Sequence, residues 1–531
     1  MTRVFSYNAL FEPSSIGALL LSGALLVLGW WVVQYWTSPL RAYPGPFLAR
    51  CTNWWRLWQV MTGRYHLYIH ELHEKYGPIV RIGPNLLDID MPEVNKTVYG
   101  SDTNWRKTEF YQNNSLFING KTTFTIFSEL DPANHARIKR PIAKFFGQGN
   151  VLTKEIFVNQ VVENTCQRLN TSFSNKDCDL GEWISFCTWD ILGMMLFSQP
   201  FGYIDNGRDF DGTLKSSNEL ADYFCKIGQL PFLDHLLDKN PIMRIGPPNL
   251  GNIGRLATEH LGERLRKGND HIPAGVPDFL QHFVDAKNSD PEVTEADILG
   301  DSLATLAAGA DSTAITLRSI FYHSLKNPGI YNRLESEILA AELGQLASYR
   351  QSRAIPCKIM CSVLYQTKIS SNIGDLDLEA VIREGMRILP AVSMLLERYV
   401  PAPGLSLPDG SVIPAGTAVG VNPYIIGRHK KVWGPDADEF RPERWLQYED
   451  ESDSAYHARI QLFNATDLTF GDGARVCIGR YIANMEMYKI VATLITRFEI
   501  KLVDIERDWE VVGSWFPQQS GLVCRLKKRS S

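Results

Sequence analysis

A ten-residue stretch near the carboxyl end, residues 470–479, constrains this chain more than any other part of its sequence. It reads FGDGARVCIG and holds one cysteine, Cys477, with Gly473 before it and Gly479 after it. Glycine lets a backbone turn sharply and approach a bulky planar group closely. A cysteine thiolate held on such a turn can ligate haem iron and donate the electron density that favours O–O cleavage. The alternative is an ordinary buried cysteine, but the spacing F-x-x-G-x-R-x-C-x-G favours the haem ligand.

The residues around the cysteine are consistent with a thiolate ligand. Ile478, Ile482 and Met485 follow Cys477 at helical spacing, which predicts that the sulfur lies just before the N-terminus of a helix. Backbone N–H groups and the positive end of the helix dipole would stabilise a thiolate there. Arg475, two residues upstream, could donate a charge-assisted hydrogen bond to a haem propionate.

A long predicted helix carries the second informative segment. A capping box opens it, and the helical pattern continues over 294–325 for roughly 45 Å. Its middle, 307–313, reads AAGADST: four small residues followed by Asp311, Ser312 and Thr313. Small side chains let a bulky group lie against a helix, and a glycine or a hydroxyl can open its hydrogen-bond ladder locally. Such a composition is a poor choice for a plain core helix and indicates a binding site.

Two further motifs lie between these segments. Glu384 and Arg387 form the pattern E-x-x-R on a predicted helix, and 440–445 reads FRPERW. An acid–base pair on a solvated helix usually contributes only a few tenths of a kcal/mol, roughly, to stability. Taken in order and at these separations, however, the motifs resemble those of the cytochrome P450 family. The resemblance implies a buried network of Glu384, Arg387 and Arg444, with Trp445 where the family has phenylalanine.

The same resemblance implies a fold and a cofactor. The expected fold is mainly α with a small β region, the cytochrome P450 fold, in one catalytic domain over 47–531. The expected cofactor is haem b, with Cys477 as the axial ligand of the iron.

Further residues match the family's contacts to the haem propionates. His135 and Lys139 match helix positions that carry an aromatic residue or histidine and, four residues later, an arginine. The guanidinium group of arginine can donate two hydrogen bonds to one carboxylate, whereas the ammonium group of lysine is a point charge. Arg140 is therefore an alternative donor. A solvated basic face is the competing interpretation of this charge run. Arg398 and Arg475 match two more propionate contacts.

The resemblance also assigns roles to the polar residues of the long helix. Asp311 matches the acid of an acid–alcohol pair that relays protons to bound dioxygen. The alcohol is usually threonine, and its position is occupied here by Ser312, with Thr313 beside it. These three residues are the predicted catalytic groups, and the sequence leaves open which hydroxyl acts.

The amino-terminal region, 1–36, contains an almost wholly apolar run over 16–36. That run would span roughly 30 Å as a helix, the thickness of a hydrocarbon core. A cleavable signal peptide is the alternative, but the run is long for one and no small-residue cleavage site follows it. We therefore predict one transmembrane helix ahead of the catalytic domain, followed by a stiff proline-rich hinge at 37–46.

Charged residues around the predicted anchor indicate its orientation. Arg41, Arg50 and Arg56 follow the apolar run, whereas Arg3 and Glu12 precede it. The positive-inside bias places the catalytic domain in the cytosol, and the family resemblance implies a single-pass protein of the endoplasmic reticulum membrane. Nine scattered cysteines without a C-x-x-C pair agree with a reducing compartment. The net charge of -5, without a basic stripe, argues against nucleic acid as a partner.

These features predict a haem-thiolate monooxygenase. It would take electrons from NADPH–cytochrome P450 reductase and insert one atom of dioxygen into a small apolar substrate, with membrane lipid as a further partner. Similarity to fungal members implies a role in secondary metabolism. A haem-thiolate isomerase or dehydratase and a non-catalytic membrane haem protein are the alternatives, and the acid–alcohol pair argues against both. Residues 346–376 are either a surface insertion or an incorrectly predicted exon boundary.

Overall fold

The fold is mainly helical with a small β region, as the sequence predicts. The computed structural model describes residues 13–102, 104–118, 121–246, 251–267, 275–355 and 378–529. The helices in these ranges are α1 (Pro13–Thr37), α2 (Phe47–Cys51), α3 (Trp54–Met61), α4 (Tyr65–Tyr76), α5 (Asn95–Tyr99), α6 (Pro132–Ala143), α7 (Gln148–Thr153), α8 (Glu155–Phe173), α9 (Leu180–Phe197), α10 (Tyr203–Asn206), α11 (Thr213–Ile227), α12 (Phe232–Leu236), α13 (Gly251–Lys267), α14 (Phe279–Ser289), α15 (Glu295–Lys326), α16 (Pro328–Ala340), α17 (Tyr349–Arg353), α18 (Leu378–Ile388), α19 (Pro423–Ile426), α20 (Lys430–Trp433), α21 (Asp453–Thr466) and α22 (Arg480–Arg497).

The strands are short and pair into small sheets. They are β1 (Ile79–Gly83), β2 (Leu86–Ile89), β3 (Leu116–Ile118), β4 (Lys121–Thr123), β5 (Asp177–Asp179), β6 (Arg398–Tyr399), β7 (Leu405–Ser406), β8 (Val412–Ile413), β9 (Ala418–Gly420), β10 (Phe498–Leu502), β11 (Glu510–Val512), β12 (Gln518–Ser520) and β13 (Val523–Lys528). The largest sheet has the order β1-β2-β9-β6, with β1 and β2 antiparallel and β2 and β9 parallel. A second sheet has the order β10-β13-β5, and hairpins join β3 to β4, β7 to β8 and β11 to β12.

The predicted membrane anchor, 16–36, falls on α1. Across the described ranges, no helix was found to be both long enough and apolar enough to cross a membrane. The anchor therefore stays a prediction. The predicted hinge, 37–46, lies between α1 and α2. The segment 346–376, interpreted above as a surface insertion or an incorrectly predicted exon boundary, is described only as far as residue 355, and the rest lies outside the described residues.

The long helix α15 is a central element of the core. Its capping box is formed as predicted: the N–H of Asp297 donates to Thr294 Oγ1 at 3.1 Å, and the N–H of Thr294 donates to Asp297 Oδ2 at 2.8 Å. Helices α9, α18 and α22 pack against it. Gly309 permits the close approach of α9, because a Cβ there would lie only 3.0 Å from Leu192 Cδ1.

The predicted charge network forms between α18 and the segment that follows α20. Arg387 donates to both oxygens of the Glu384 carboxylate, at 2.9 and 2.7 Å, and Arg444 Nε donates to Oε1 at 2.9 Å. Trp445 Nε1 donates to Oε2 at 2.9 Å, so the departure from phenylalanine adds a hydrogen bond. Glu384 is fully buried, and burial raises its pKa, but the two arginines outweigh burial and hold the pKa below its ordinary value.

Candidate haem site

Cys477 lies on a loop that ends at the N-terminus of α22. Its N–H donates to Phe470 O at 2.8 Å, which closes the loop, and α22 begins three residues later at Arg480. Burial raises the pKa of the Cys477 thiol, whereas the backbone N–H groups of Gly479 and Arg480 oppose that shift. These are the N–H groups of a helix N-terminus, where the sequence predicts stabilisation of a thiolate.

The exposure of Cys477 distinguishes it from the other cysteines. Its side chain is exposed, whereas the other cysteines that the structure describes are buried. Because protein atoms nevertheless surround the sulfur, desolvation is the largest influence on its pKa. A thiol that is open to a ligand on one side and enclosed on the others has the environment that an axial ligand of haem needs.

The two glycines of the motif have different functions. Gly473 has a φ of +57°, and a Cβ there would lie 2.1 Å from Tyr99 O, so only glycine fits this turn. Gly479 has an ordinary φ of -81°, and a Cβ there would approach only Cys477 Sγ, at 4.0 Å. Gly473 is therefore needed for the turn, whereas Gly479 leaves the space beside the sulfur free of a side chain.

Arg475 and Lys139 both bind the main chain close to the cysteine. Arg475 donates to Glu129 O at 2.7 Å and to Leu130 O at 3.2 Å. Lys139 Nζ donates to Ala474 O at 2.8 Å, next to Arg475 in the loop. Lys139 thus links α6 to the cysteine loop by a hydrogen bond. The sequence did not predict this contact.

The residues predicted to contact the propionates are close enough for their charges to lower one another's pKa values. Burial and then the charge of Arg398 lower the pKa of Arg475 to about 10. Burial, followed by the charges of Arg475, Lys107, Lys139 and Arg398, lowers the pKa of His135 to about 3. Within the described ranges no ion pair with a carboxylate involves the lysines or arginines of this group.

Sequence reasoning missed one member of this group, Lys107. Its side chain is 5% exposed, and burial together with the charges of Arg398 and Arg475 lowers its pKa well below the ordinary value. Its Nζ donates to Phe127 O at 2.6 Å and lies 4.2 Å from the centroid of the Tyr111 ring. Lys107 belongs to no motif, and no helix or strand period relates it to His135. Nothing in the sequence therefore indicated that it would lie in this group.

Together the thiol and the cations fit a haem. One exposed cysteine at a helix N-terminus could supply an axial ligand. The lysines and arginines of this group, two of them buried and two half-buried, have no carboxylate partner among the described residues, and the two propionates of a haem would offset the desolvation of these cations. The residues that the sequence assigned to the cofactor thus have the chemistry that haem b needs.

The two candidate hydroxyls on α15 lie in different surroundings. Ser312 Oγ donates to Ala308 O at 2.7 Å, and Thr313 Oγ1 donates to Gly309 O at 3.1 Å. Ala308 is exposed and Ser312 is half-buried, whereas Thr313 is only 3% exposed. Ser312 therefore shares the accessible side of the helix with Ala308, and Thr313 faces packed protein.

Asp311 is held by two side chains from other helices. Trp189 Nε1 on α9 donates to Oδ1 at 2.9 Å, and Ser217 Oγ on α11 donates to Oδ2 at 2.6 Å. Burial raises the pKa of Asp311, and these two hydrogen bonds and the charge of Arg318 oppose that shift. The structure records no hydrogen bond between Asp311 and Ser312, so the predicted acid and alcohol are neighbours in sequence with separate partners.

Comparison with known proteins identifies the family. The model of the family described as "Cytochrome P450" matches residues 44–524. "Cytochrome P450 monooxygenase cfoH" of Aspergillus candidus is 43% identical over 519 residues, covering 96% of this chain and 92% of the relative. "Cytochrome P450 monooxygenase cicH" of Emericella nidulans is 32% identical over 92% of this chain and 93% of the relative. "Cytochrome P450 monooxygenase AFLA_114810" of Aspergillus flavus is 31% identical, covering 97% of both chains. The chain therefore belongs to the cytochrome P450 family and is a monooxygenase.

Proposed function

We propose that this monooxygenase binds haem b through Cys477 and oxidises an apolar small molecule, with electrons supplied by NADPH–cytochrome P450 reductase. One observation carries the proposal: the exposed thiol of Cys477 lies at the N-terminus of α22, where the charges of Arg480 and Lys139 act on it. In this assignment Arg475, Arg398 and His135 contact the propionates. Lys107 joins them, and Lys139 holds the loop through Ala474 and adds its charge.

Bound haem would supply the activation of dioxygen and the transfer of one oxygen atom. The protein would then supply protons at a defined atom, the hydroxyl of Ser312, which is on the accessible side of α15. The proton that Ser312 gives up would be replaced from Asp311, once that carboxyl turns away from Trp189 and Ser217. Proton transfer by a positioned side chain typically contributes about 10²–10⁴ in rate.

The acid and the accessible hydroxyl favour an oxygenase over a haem-thiolate isomerase or dehydratase. Neither of those activities consumes dioxygen, so neither requires the delivery of protons to bound dioxygen. A non-catalytic haem carrier has no need of an accessible hydroxyl beside a half-buried acid. The presence of both groups on α15 therefore supports the monooxygenase proposal.

We also propose that the protein is anchored in the endoplasmic reticulum membrane by 16–36, with its catalytic domain in the cytosol. The charge asymmetry around this segment supports the orientation. The two helices that follow the hinge display large exposed apolar side chains, a feature typical of surfaces that contact a partner or a membrane: Phe47, Leu48, Trp54, Trp58 and Met61. The relatives are fungal proteins, which agrees with a role in secondary metabolism.

The ligand assignment is tested with Cys477→Ser in the full chain. Serine is nearly isosteric with cysteine, but its hydroxyl is a harder and poorer electron donor, so the variant should lose the red-shifted Soret band of the reduced carbon-monoxide complex. Cys51→Ser, at a buried cysteine, is the matched control and should keep that band. A Cys477→Ser protein that retained both the band and oxygenation would overturn the assignment.

The reaction class is tested by reconstituting the full chain with haem and reductase. NADPH-dependent oxygen uptake, measured with and without candidate substrates, separates the three classes. A monooxygenase consumes oxygen and NADPH together and forms hydroxylated product. Conversion of a substrate without oxygen uptake would instead show an isomerase or dehydratase.

A further inference from the structure

The Asp311 carboxylate has two hydrogen-bond donors that differ in what they can do with a proton. An indole N–H is a donor only, so Trp189 cannot take up a proton in exchange for one that it gives. A serine hydroxyl is a donor with two acceptor lone pairs, so Ser217 can pass on one proton and receive another. Trp189 occupies Oδ1 and Ser217 occupies Oδ2.

The two donors also lie on helices that are packed differently. Trp189 is fully buried on α9, which packs along α15. Ser217 is 5% exposed and lies on α11, whose principal neighbours are α3 and the short helical turn at Glu109–Asn114 rather than α15. Trp189 therefore has no contact with water, whereas Ser217 is slightly exposed and lies on a helix that packs mainly on elements other than the central helix.

From these observations we infer that Ser217 is the residue through which protons reach Asp311. The O–H bond of Ser217 breaks as a new O–H bond forms on Asp311 Oδ2, and a hydronium ion from the solvent gives a proton to Ser217 Oγ and leaves as water. Asp311 can then turn and supply Ser312. Ser217 acts through Asp311 and is thus a positioning residue. The inference rests on the proposed function, because it extends the proton path of the same site.

The charged surroundings of Asp311 are simple enough for its titration to be informative. On its own helix the facing charge is Arg318, while α9 and α11 contribute Trp189 and Ser217. A hydrogen bond to the charged form of a carboxyl group lowers its pKa. Loss of the Ser217 hydroxyl should therefore raise the pKa of Asp311, by about one pH unit. The shift can be followed without turnover, in the ferric protein, as the infrared carboxyl band that Asp311→Asn removes.

Turnover can be measured without knowing the organic substrate, because dioxygen itself is the probe. Haem-loaded full chain is mixed with reductase and NADPH, and peroxide released per NADPH is measured in water and in deuterium oxide. In Ser217→Ala the peroxide yield should rise several-fold and the solvent isotope effect on oxygen reduction should increase. Ser217→Thr keeps a hydroxyl and should restore both values. Ser216→Ala, one residue away on α11, is the control and should behave as the native chain.

Three results of these measurements would contradict different parts of the proposal. Ser217→Ala with native peroxide yield and isotope effect, while Asp311→Asn is impaired, would overturn the Ser217 route and leave the proposed function intact. Native behaviour in Asp311→Asn would contradict the proton path of the proposed function itself. If Trp189→Phe reproduced the isotope effect of Ser217→Ala, the two residues would merely orient the carboxylate, and proton transfer through Ser217 would be wrong. The carbon-monoxide spectrum of each variant verifies that its haem is bound.

Discussion

Ser312 and Thr313 are adjacent hydroxyl residues, but α15 turns them toward different surroundings. Ser312 is half-buried beside the exposed Ala308, whereas Thr313 is 3% exposed. We predict that Ser312→Ala diverts consumed oxygen to peroxide and lowers product formed per NADPH by about tenfold or more. Thr313→Ala should couple oxygen to product as the native chain does.

The iron ligand serves as the internal control for this pair. Neither substitution touches the cysteine loop, so both variants should keep the thiolate band of the carbon-monoxide complex. Peroxide release is measured alongside product and NADPH consumption. If Thr313→Ala were the uncoupled variant, the assignment of Ser312 as the proton donor would be wrong.

Glu486 on α22 is a buried acid that the proposed reaction does not use. Its side chain is 3% exposed, Oε2 has no hydrogen-bond partner, and burial raises its pKa well above the ordinary value. A protein that contains a carboxyl group whose pKa is raised on folding becomes less stable as the pH rises from the pKa of the unfolded state toward that of the folded state. Each pH unit in that interval costs about 1.4 kcal/mol.

We therefore expect Glu486→Gln to increase the free energy of unfolding at pH 7, by at least about 1 kcal/mol. The gain should shrink as the pH falls toward about 4.5, where the unfolded carboxyl group also becomes protonated. Chemical denaturation of haem-loaded protein at a series of pH values measures the difference. A variant with lower stability at every pH would show that the Glu486 carboxylate has a favourable partner.

The charge network at the end of α18 joins segments that are far apart in the chain. Arg387 donates to the Glu384 carboxylate and also to the main-chain oxygens of Gly427 and Ala437, both at 2.6 Å. Arg387→Ala would leave Glu384 with one fewer charged partner in a buried site and leave these carbonyl groups without their donor. Breaking one side of such a pair costs about 3–5 kcal/mol.

We predict little or no folded, haem-loaded protein for Arg387→Ala, measured by haem content and far-ultraviolet circular dichroism. Arg383, on the same helix, interacts at the surface with Asn464 and stacks on Trp445. Arg383→Ala is therefore the matched control, with the smaller loss of stability. Normal haem content in Arg387→Ala would show that the network is not needed for folding.

Four glycosylation sequons test the proposed orientation of the chain in the membrane. They begin at Asn95, Asn113, Asn170 and Asn464. Asn95 and Asn113 are buried and donate to main-chain oxygens, so their lack of glycan would be uninformative. Asn464 is exposed and Asn170 half-buried, so these two decide the question.

With the catalytic domain in the cytosol, Asn170 and Asn464 should carry no glycan in the mature protein. The measurement is electrophoretic mobility before and after glycosidase treatment. An acceptor site placed on an amino-terminal extension is the positive control and should be modified, because that end would face the lumen. A glycosidase-sensitive shift that disappears in an Asn170→Gln, Asn464→Gln variant would overturn the orientation.

Features with local spacing could be predicted from sequence alone. The capping box at Thr294 and Asp297, the position of Cys477 before a helix and the E-x-x-R pair each depend on residues within one or two turns of a helix. Residue types and offsets are sufficient there, because the backbone geometry of a helix or turn is the same in every protein. The mainly helical fold followed from the same local signals together with the family resemblance.

Tertiary packing alone decided the rest of the site. Trp189 and Ser217 lie 122 and 94 residues from Asp311, and no periodicity links them to it. Lys107 joins the cationic group for the same reason, through a loop without a motif. The proposal of Ser312 rather than Thr313 as the proton donor rests on burial, because Thr313 is covered by packed protein and Ser312 is not. Burial and long-range hydrogen bonds are properties of the assembled core, so residue types and offsets along the chain do not determine them.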